Sequence, residues 1–103
     1  MSETPEGAVK KAVKKMLETF DVYWYMGASG GFGSSGFPDF VCCVDGFFLT
    51  IECKAGNNTP TLLQDREMGY IRDAGGIALV INENNLDELA VHLAVLKGRK
   101  HHG

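Results

Sequence analysis

Asp39, Glu52 and Lys54 are the residues whose types and spacing best suit them to chemistry in this sequence. The dipeptide Asp45-Gly46 separates two strand-like runs, residues 40–44 and 47–54. It is a strong signal for a two-residue hairpin turn. Such a turn pairs Val44 with Phe47. Counting back sets Cys43 against Phe48, Cys42 against Leu49, Val41 against Thr50, Phe40 against Ile51, and finally Asp39 against Glu52. Directly paired residues share a sheet face, with Cβ atoms about 4.5–5.5 Å apart. Lys54 lies two residues beyond Glu52 and so points the same way.

The hairpin thus gathers two carboxylates and one amine on one side of a sheet. Like charges set directly opposite destabilise a strand pair. A hard divalent cation, which takes oxygen ligands, would offset that repulsion. The plainer alternative is a salt bridge at the sheet edge, with Lys54 neutralising the pair. Two further residues bear on the same place. Gln64 shares a helical face with Met68 and Ile71, so its amide can reach a site residue or simply bond to main chain. Glu6 projects close to Val9, Val13 and Leu17, near the edge of an apolar stripe, where a carboxylate needs a partner. Its ordinary role would be to complement the positive end of a first helical turn.

The elements that must position these residues can be read from the pattern. Residues 5–20 form a helix with Val9, Ala12, Val13, Met16, Leu17 and Phe20 on one stripe, Thr4 as cap and Pro5 at the first position. Lys10, Lys11, Lys14 and Lys15 are expected on the opposite side, either as a solvated face or as phosphate contacts. Residues 22–26 alternate and are rich in aromatics, as a strand would be. The glycine-serine loop 27–36 has neither a Walker nor a dinucleotide pattern, and serves as a flexible connection or a substrate-facing loop. Thr59-Pro60 is expected to begin a helix that Gly75 or Gly76 ends. Residues 76–81 suit a buried strand. Asn85, with Glu88 three residues later, begins a last helix carrying Leu86, Leu89, Ala90, Leu93 and Leu96. The order αβββαβα predicts an α/β fold built on a mixed sheet flanked by helices.

A chain of 103 residues has room for one core. Residues 1–98 are read as that single domain and 99–103 as a disordered tail, with His101 and His102 solvated. No apolar run nears the roughly 18 residues of a membrane span, and the N-terminus lacks an apolar signal region. The expectation is a soluble protein of the cytoplasm. Cys42, Cys43 and Cys53 lie in apolar strand-like runs and are read as reduced core residues; they lack the spaced pairing of zinc ligands. The net charge of −3 argues mildly against non-specific nucleic-acid binding, although charge distribution matters more than the sum.

Gly36-Phe37-Pro38-Asp39, then Glu52-Cys53-Lys54, then Gln64, resembles the VRR-NUC domain of the PD-(D/E)XK nuclease superfamily. The leading helix with its inward Glu6 fits the same pattern, so the resemblance covers nearly the whole chain. Its separate elements are weak motifs; their order, the hairpin, the leading glutamate and the following glutamine make the signal specific. The resemblance implies a restriction-endonuclease-like sheet and a divalent-metal-dependent DNA endonuclease. It implies that Asp39 and Glu52 hold Mg²⁺ or Mn²⁺, that the main-chain carbonyl of Cys53 is a further ligand, and that Glu6 completes the site directly or through water. Lys54 would act on the attacking water and the phosphate, and Gln64 would support the lysine or the water. Stand-alone relatives resemble phage-encoded nucleases, which would work in the host cytoplasm. A homodimer acting on branched DNA such as a four-way junction would suit a short acidic chain whose glycine loop carries no Lys or Arg.

Two other functions compete. One is an inactive nuclease-fold module that binds DNA or protein through the lysine helix and glycine loop. The other is a small protein–protein adaptor whose Asp-Glu-Lys set is only a salt bridge.

Overall fold

The computed structural model describes residues 3–27 and 36–99. Most of the glycine-serine loop and the C-terminal histidines lie outside the described residues. The elements are α1 (Pro5–Thr19), β1 (Tyr23–Met26), β2 (Phe40–Val44), β3 (Phe47–Cys53), α2 (Leu62–Asp73), β4 (Ile77–Ile81) and α3 (Leu86–Arg99), in the expected order. The last helix runs through Arg99, one residue into the expected tail.

The hairpin follows from local chemistry. Asp45 and Gly46 take φ of 50° and 94°, the doubly left-handed turn whose twist matches that of antiparallel strands. The β2–β3 register is the one counted from the turn, from Val44 opposite Phe47 to Phe40 opposite Ile51. β1 adds antiparallel to β2, and β4 adds parallel to β3, giving a mixed sheet ordered β1-β2-β3-β4. The parallel pair needs a crossover, which α2 supplies.

β3 is covered on both sides, so nearly its whole length is buried. Phe40, Cys42 and Val44 share one face with Leu49, Ile51, Cys53 and Ile81, and this face meets α1 and α3 in a single core. Helix α1 contributes Val9, Val13 and Leu17, each one turn from the next, with Thr4 accepting the Gly7 N–H at 2.9 Å. Helix α3 contributes Leu89, Leu93 and Leu96. The other face meets α2 through Met68, and Arg72 clamps α2 to β4 by donating to the Ala78 carbonyl at 2.6 Å. That helix leaves the β1 side of the sheet open, where Tyr23 and Tyr25 are 76% and 63% exposed.

Three local expectations are corrected. Helix α2 starts at Leu62, not after Thr59-Pro60, because Thr61 and Gln64 form a reciprocal capping box. Asn85 does not cap α3 with its side chain; it turns back to bond the Asn82 N–H and the Val80 carbonyl, bracing the β4–α3 connection. Cys43 is exposed rather than core, since it lies on the part of the sheet that α2 does not reach; Cys42 and Cys53 are buried.

Candidate active site

The site is built where β2 begins and β3 ends. Asp39 lies one residue before β2, and strand pairing stops at Phe40–Ile51, so Asp39 and Glu52 are not a ladder pair as counted. The reason is visible in the hydrogen bonds. The Asp39 Oδ2 atom accepts the Cys53 main-chain N–H at 2.8 Å, and the Asp39 carbonyl accepts from Gly27 at 3.1 Å. The side chain thus takes a bond that a longer ladder would give to backbone, and this anchors a carboxylate at the end of β3.

Glu52 is only 3% exposed. Its Oε2 accepts from the Gln64 side-chain amide at 2.8 Å and lies 3.6 Å from Lys54 Nζ. Its Oε1 is buried with no hydrogen-bond partner among the described residues. Burial is the main reason that the Glu52 pKa is pushed up to about 7; the nearby Asp39 charge adds to it, Lys54 works against it, and Glu6 adds further. A buried carboxylate with a free oxygen is costly unless something positive or protic meets it.

Lys54 and Gln64 hold this carboxylate from two elements. The Lys54 N–H continues the β3–β4 pairing by donating to the Ile81 carbonyl at 3.0 Å, and its side chain, 12% exposed, turns to the same face as Glu52. The Gln64 carbonyl accepts the Thr61 N–H in the capping box while its amino group donates to Glu52. The first turn of α2 therefore orients Gln64 at both ends. The Gln64 contact runs to the glutamate rather than to the lysine.

Gly36 is fixed by the same helix. It has φ of +80°, and a Cβ there would strike the Leu63 carbonyl and come within 2.8 Å of the Gln64 nitrogen. Only glycine fits both constraints. The return of the loop before Asp39 is thus packed against the helical turn that aims Gln64.

Glu6 lies at the rim of the site, its side chain 38% exposed. It does not stand alone: Lys10, one turn on, places Nζ 3.7 Å from Glu6 Oε2 and 3.5 Å from Asp39 Oδ1. Lys10 thus leaves the expected solvated face. Lys11, Lys14 and Lys15 stay exposed on α1, with Lys11 3.4 Å from Glu3 and Lys14 5.6 Å from the Trp24 ring centre. The i, i+4 spacing of Glu6 and Lys10 was the sequence signal for this contact.

Cys53 is part of the site through its main chain. Its side chain points into the core on the opposite face, and its thiol pKa is pushed up by burial and by Asp39 and Glu52. With the thiol in the core, the part of Cys53 that borders the site is its main chain.

Hard oxygen donors of this kind suit Mg²⁺ or Mn²⁺, and the buried unpartnered Glu52 Oε1 is an acceptor that such an ion satisfies. The donor chemistry fits. The carboxylates are not gathered into a ready cage, however: among the described residues no three His, Cys, Asp or Glu side chains form a group that could hold a metal. Lys10, between Glu6 and Asp39, takes part of that place. A separate hollow of roughly 420 Å³ lies at the other end of β3, bordered by Phe48, Tyr70 and Ile71, and carries no carboxylate or amine. Among the described residues no helix is long and apolar enough to cross a membrane. In comparisons with known proteins, no family model, no curated protein and no solved structure matches this chain.

Proposed function

We propose that the chain is a divalent-metal-dependent DNA endonuclease of the VRR-NUC type. The observation that carries the reading is Glu52: a buried carboxylate with one unpartnered oxygen, held between Asp39, Lys54 and Gln64. A pure adaptor has no use for so costly a group. Asp39, Glu52, the Cys53 carbonyl and Glu6 would hold Mg²⁺ or Mn²⁺. When bound, the ion would make water more acidic and draw charge from the phosphoryl oxygens.

The chain's own residues supply the rest. Asp39 is locked by the Cys53 N–H, so its position follows the β2–β3 hairpin. Glu52 is aimed by Gln64, which is itself aimed by the α2 cap. Lys54 presents an ammonium that cannot act as a ligand while protonated, so it adds positive charge beside the phosphate without competing for the ion. The same ammonium would orient the attacking water by donating to it, and the proton that water loses would pass to bulk solvent, since an ammonium cannot accept it.

A lone protomer with net charge −3 offers few phosphate contacts, and few contacts mean weak binding at physiological salt. We therefore propose a homodimer acting on branched DNA, with two sites related as the arms of a four-way junction are. Incubating the chain with duplex, flap, splayed-arm and four-way-junction DNA, with Mg²⁺ and with Mn²⁺, tests the activity. Light scattering at micromolar concentration tests the dimer. Equal cleavage of junction and duplex would remove the branched-DNA preference, and a monomer mass would remove the two-fold argument.

A second reading has its own support. The open sheet face with exposed Tyr23, Tyr25 and Phe48 suits an inactive nuclease-fold module that binds a partner. Metal binding with no cleavage of any DNA would favour it.

A further inference from the structure

The metal-dependent reading above leaves Lys10 without a task, yet the geometry gives it one. Asp39 has two oxygens with different partners. Its Oδ2 is held by the Cys53 N–H at 2.8 Å, and its Oδ1 faces Lys10 Nζ at 3.5 Å. The same ammonium is 3.7 Å from Glu6 Oε2. The Lys10 side chain is 24% exposed, so the pair is partly shielded from water. Lys54 serves Glu52 instead. Lys11 is engaged with Glu3 and Lys14 with Trp24, so neither is placed to replace Lys10.

From this arrangement we propose that Lys10 is an internal counter-ion that competes with a divalent cation for Asp39 and Glu6. The proposal rests on the metal reading above and adds a regulator to it. The oxygen of Asp39 that accepts no main-chain hydrogen bond, and is therefore the more open to a cation, is the one Lys10 faces. A cation that takes Oδ1 must displace the ammonium, and the affinity of the site is reduced by the free energy of that ion pair. Asp39 and Glu6 also keep a charge partner when no cation is bound, which stabilises the beginning of β2 against α1. Buried Glu52 Oε1, which Lys10 does not reach, remains the first acceptor open to the ion.

The test is a Mn²⁺ titration of the whole chain, read by loss of the electron paramagnetic resonance signal of free aqueous Mn²⁺. Wild type, Lys10→Met and Lys10→Arg are compared, with no DNA present. Methionine and lysine have similar helix propensity, so the helix survives the change. Lys10→Met is expected to bind Mn²⁺ roughly threefold to fivefold more tightly than wild type, the scale of a partly shielded ion pair. Lys10→Arg should stay near wild type. In chelator, Lys10→Met should melt below wild type, so its Mn²⁺-induced rise in melting temperature is the larger. Lys10→Gln serves the same comparison if the methionine variant does not fold. Folded Lys10→Met that binds Mn²⁺ no better than wild type overturns the competition and leaves the metal site standing. Absence of Mn²⁺ binding by wild type and variants alike overturns both.

Discussion

Replacing Glu52 with Gln should stabilise the protein in chelator at pH 8 and do almost nothing at pH 4.5. Glu52 ionises at about 7 in the fold and at 4.5 in an unconstrained chain. Below pH 4.5 the carboxyl is protonated folded or unfolded, and no penalty exists. Between pH 4.5 and 7 the unfolded chain ionises first, so stability falls as pH rises; above about 7 the penalty is complete. At about 1.36 kcal/mol per pH unit the gap amounts to roughly 3 kcal/mol. Glutamine removes it, and its carbonyl can still accept from Gln64. The attraction of Lys54, 12% exposed, is already contained in that gap, because it holds the Glu52 pKa lower than burial alone would. The expected gain at pH 8 is about 2–3 kcal/mol, or some 8–24 °C in melting temperature for a domain of this size. Thermal melts at the two pH values measure it. A Glu52→Gln variant that melts at or below wild type at pH 8, or whose shift is the same at both pH values, would refute the buried-charge reasoning.

Two further substitutions test the scaffold of the site. Asp39→Ala removes the acceptor of the Cys53 N–H and should cost about 1–3 kcal/mol in urea unfolding, whereas Asp39→Asn keeps an acceptor and should cost less; equal losses would mean that the 2.8 Å bond is not what anchors the residue. Gly36→Ala forces a side chain into a left-handed position against the Leu63 carbonyl and should destabilise by more than 1 kcal/mol, with disturbed Gln64 signals in an amide-resolved spectrum; a neutral outcome would mean that the loop and α2 do not pack as described.

Much of the site was legible because a two-residue turn leaves no freedom of register. Asp45-Gly46 alone brought the right strand pairs together, and alternation then put Glu52 and Lys54 on one face. Gln64 was legible as well, since Met68 and Ile71 mark the face of α2 that turns inward. The count failed one step beyond the ladder, at Asp39, where a side chain took the place of backbone. It failed at Lys10 because four lysines in six positions look alike in sequence; only the placement of α1 against the start of β2 selects the one that turns in. The start of α2 was misplaced although its signal was present: Thr61 with Gln64 is a capping box, and Thr59-Pro60 competed with it. Cys43 was misjudged because an apolar run does not reveal how far a covering helix extends.

We propose that Asp39, Glu52 and Lys54 cleave DNA with a divalent ion. End-labelled junction and duplex incubated with wild type and Lys54→Ala, in Mg²⁺, in Mn²⁺ and in chelator, test it most directly, with Mn²⁺ binding measured on the same samples. Discrete cleavage by wild type in metal only is expected, and none by Lys54→Ala although that variant still binds Mn²⁺. No cleavage of any DNA by wild type with Mn²⁺ bound, or equal cleavage by Lys54→Ala, would contradict it.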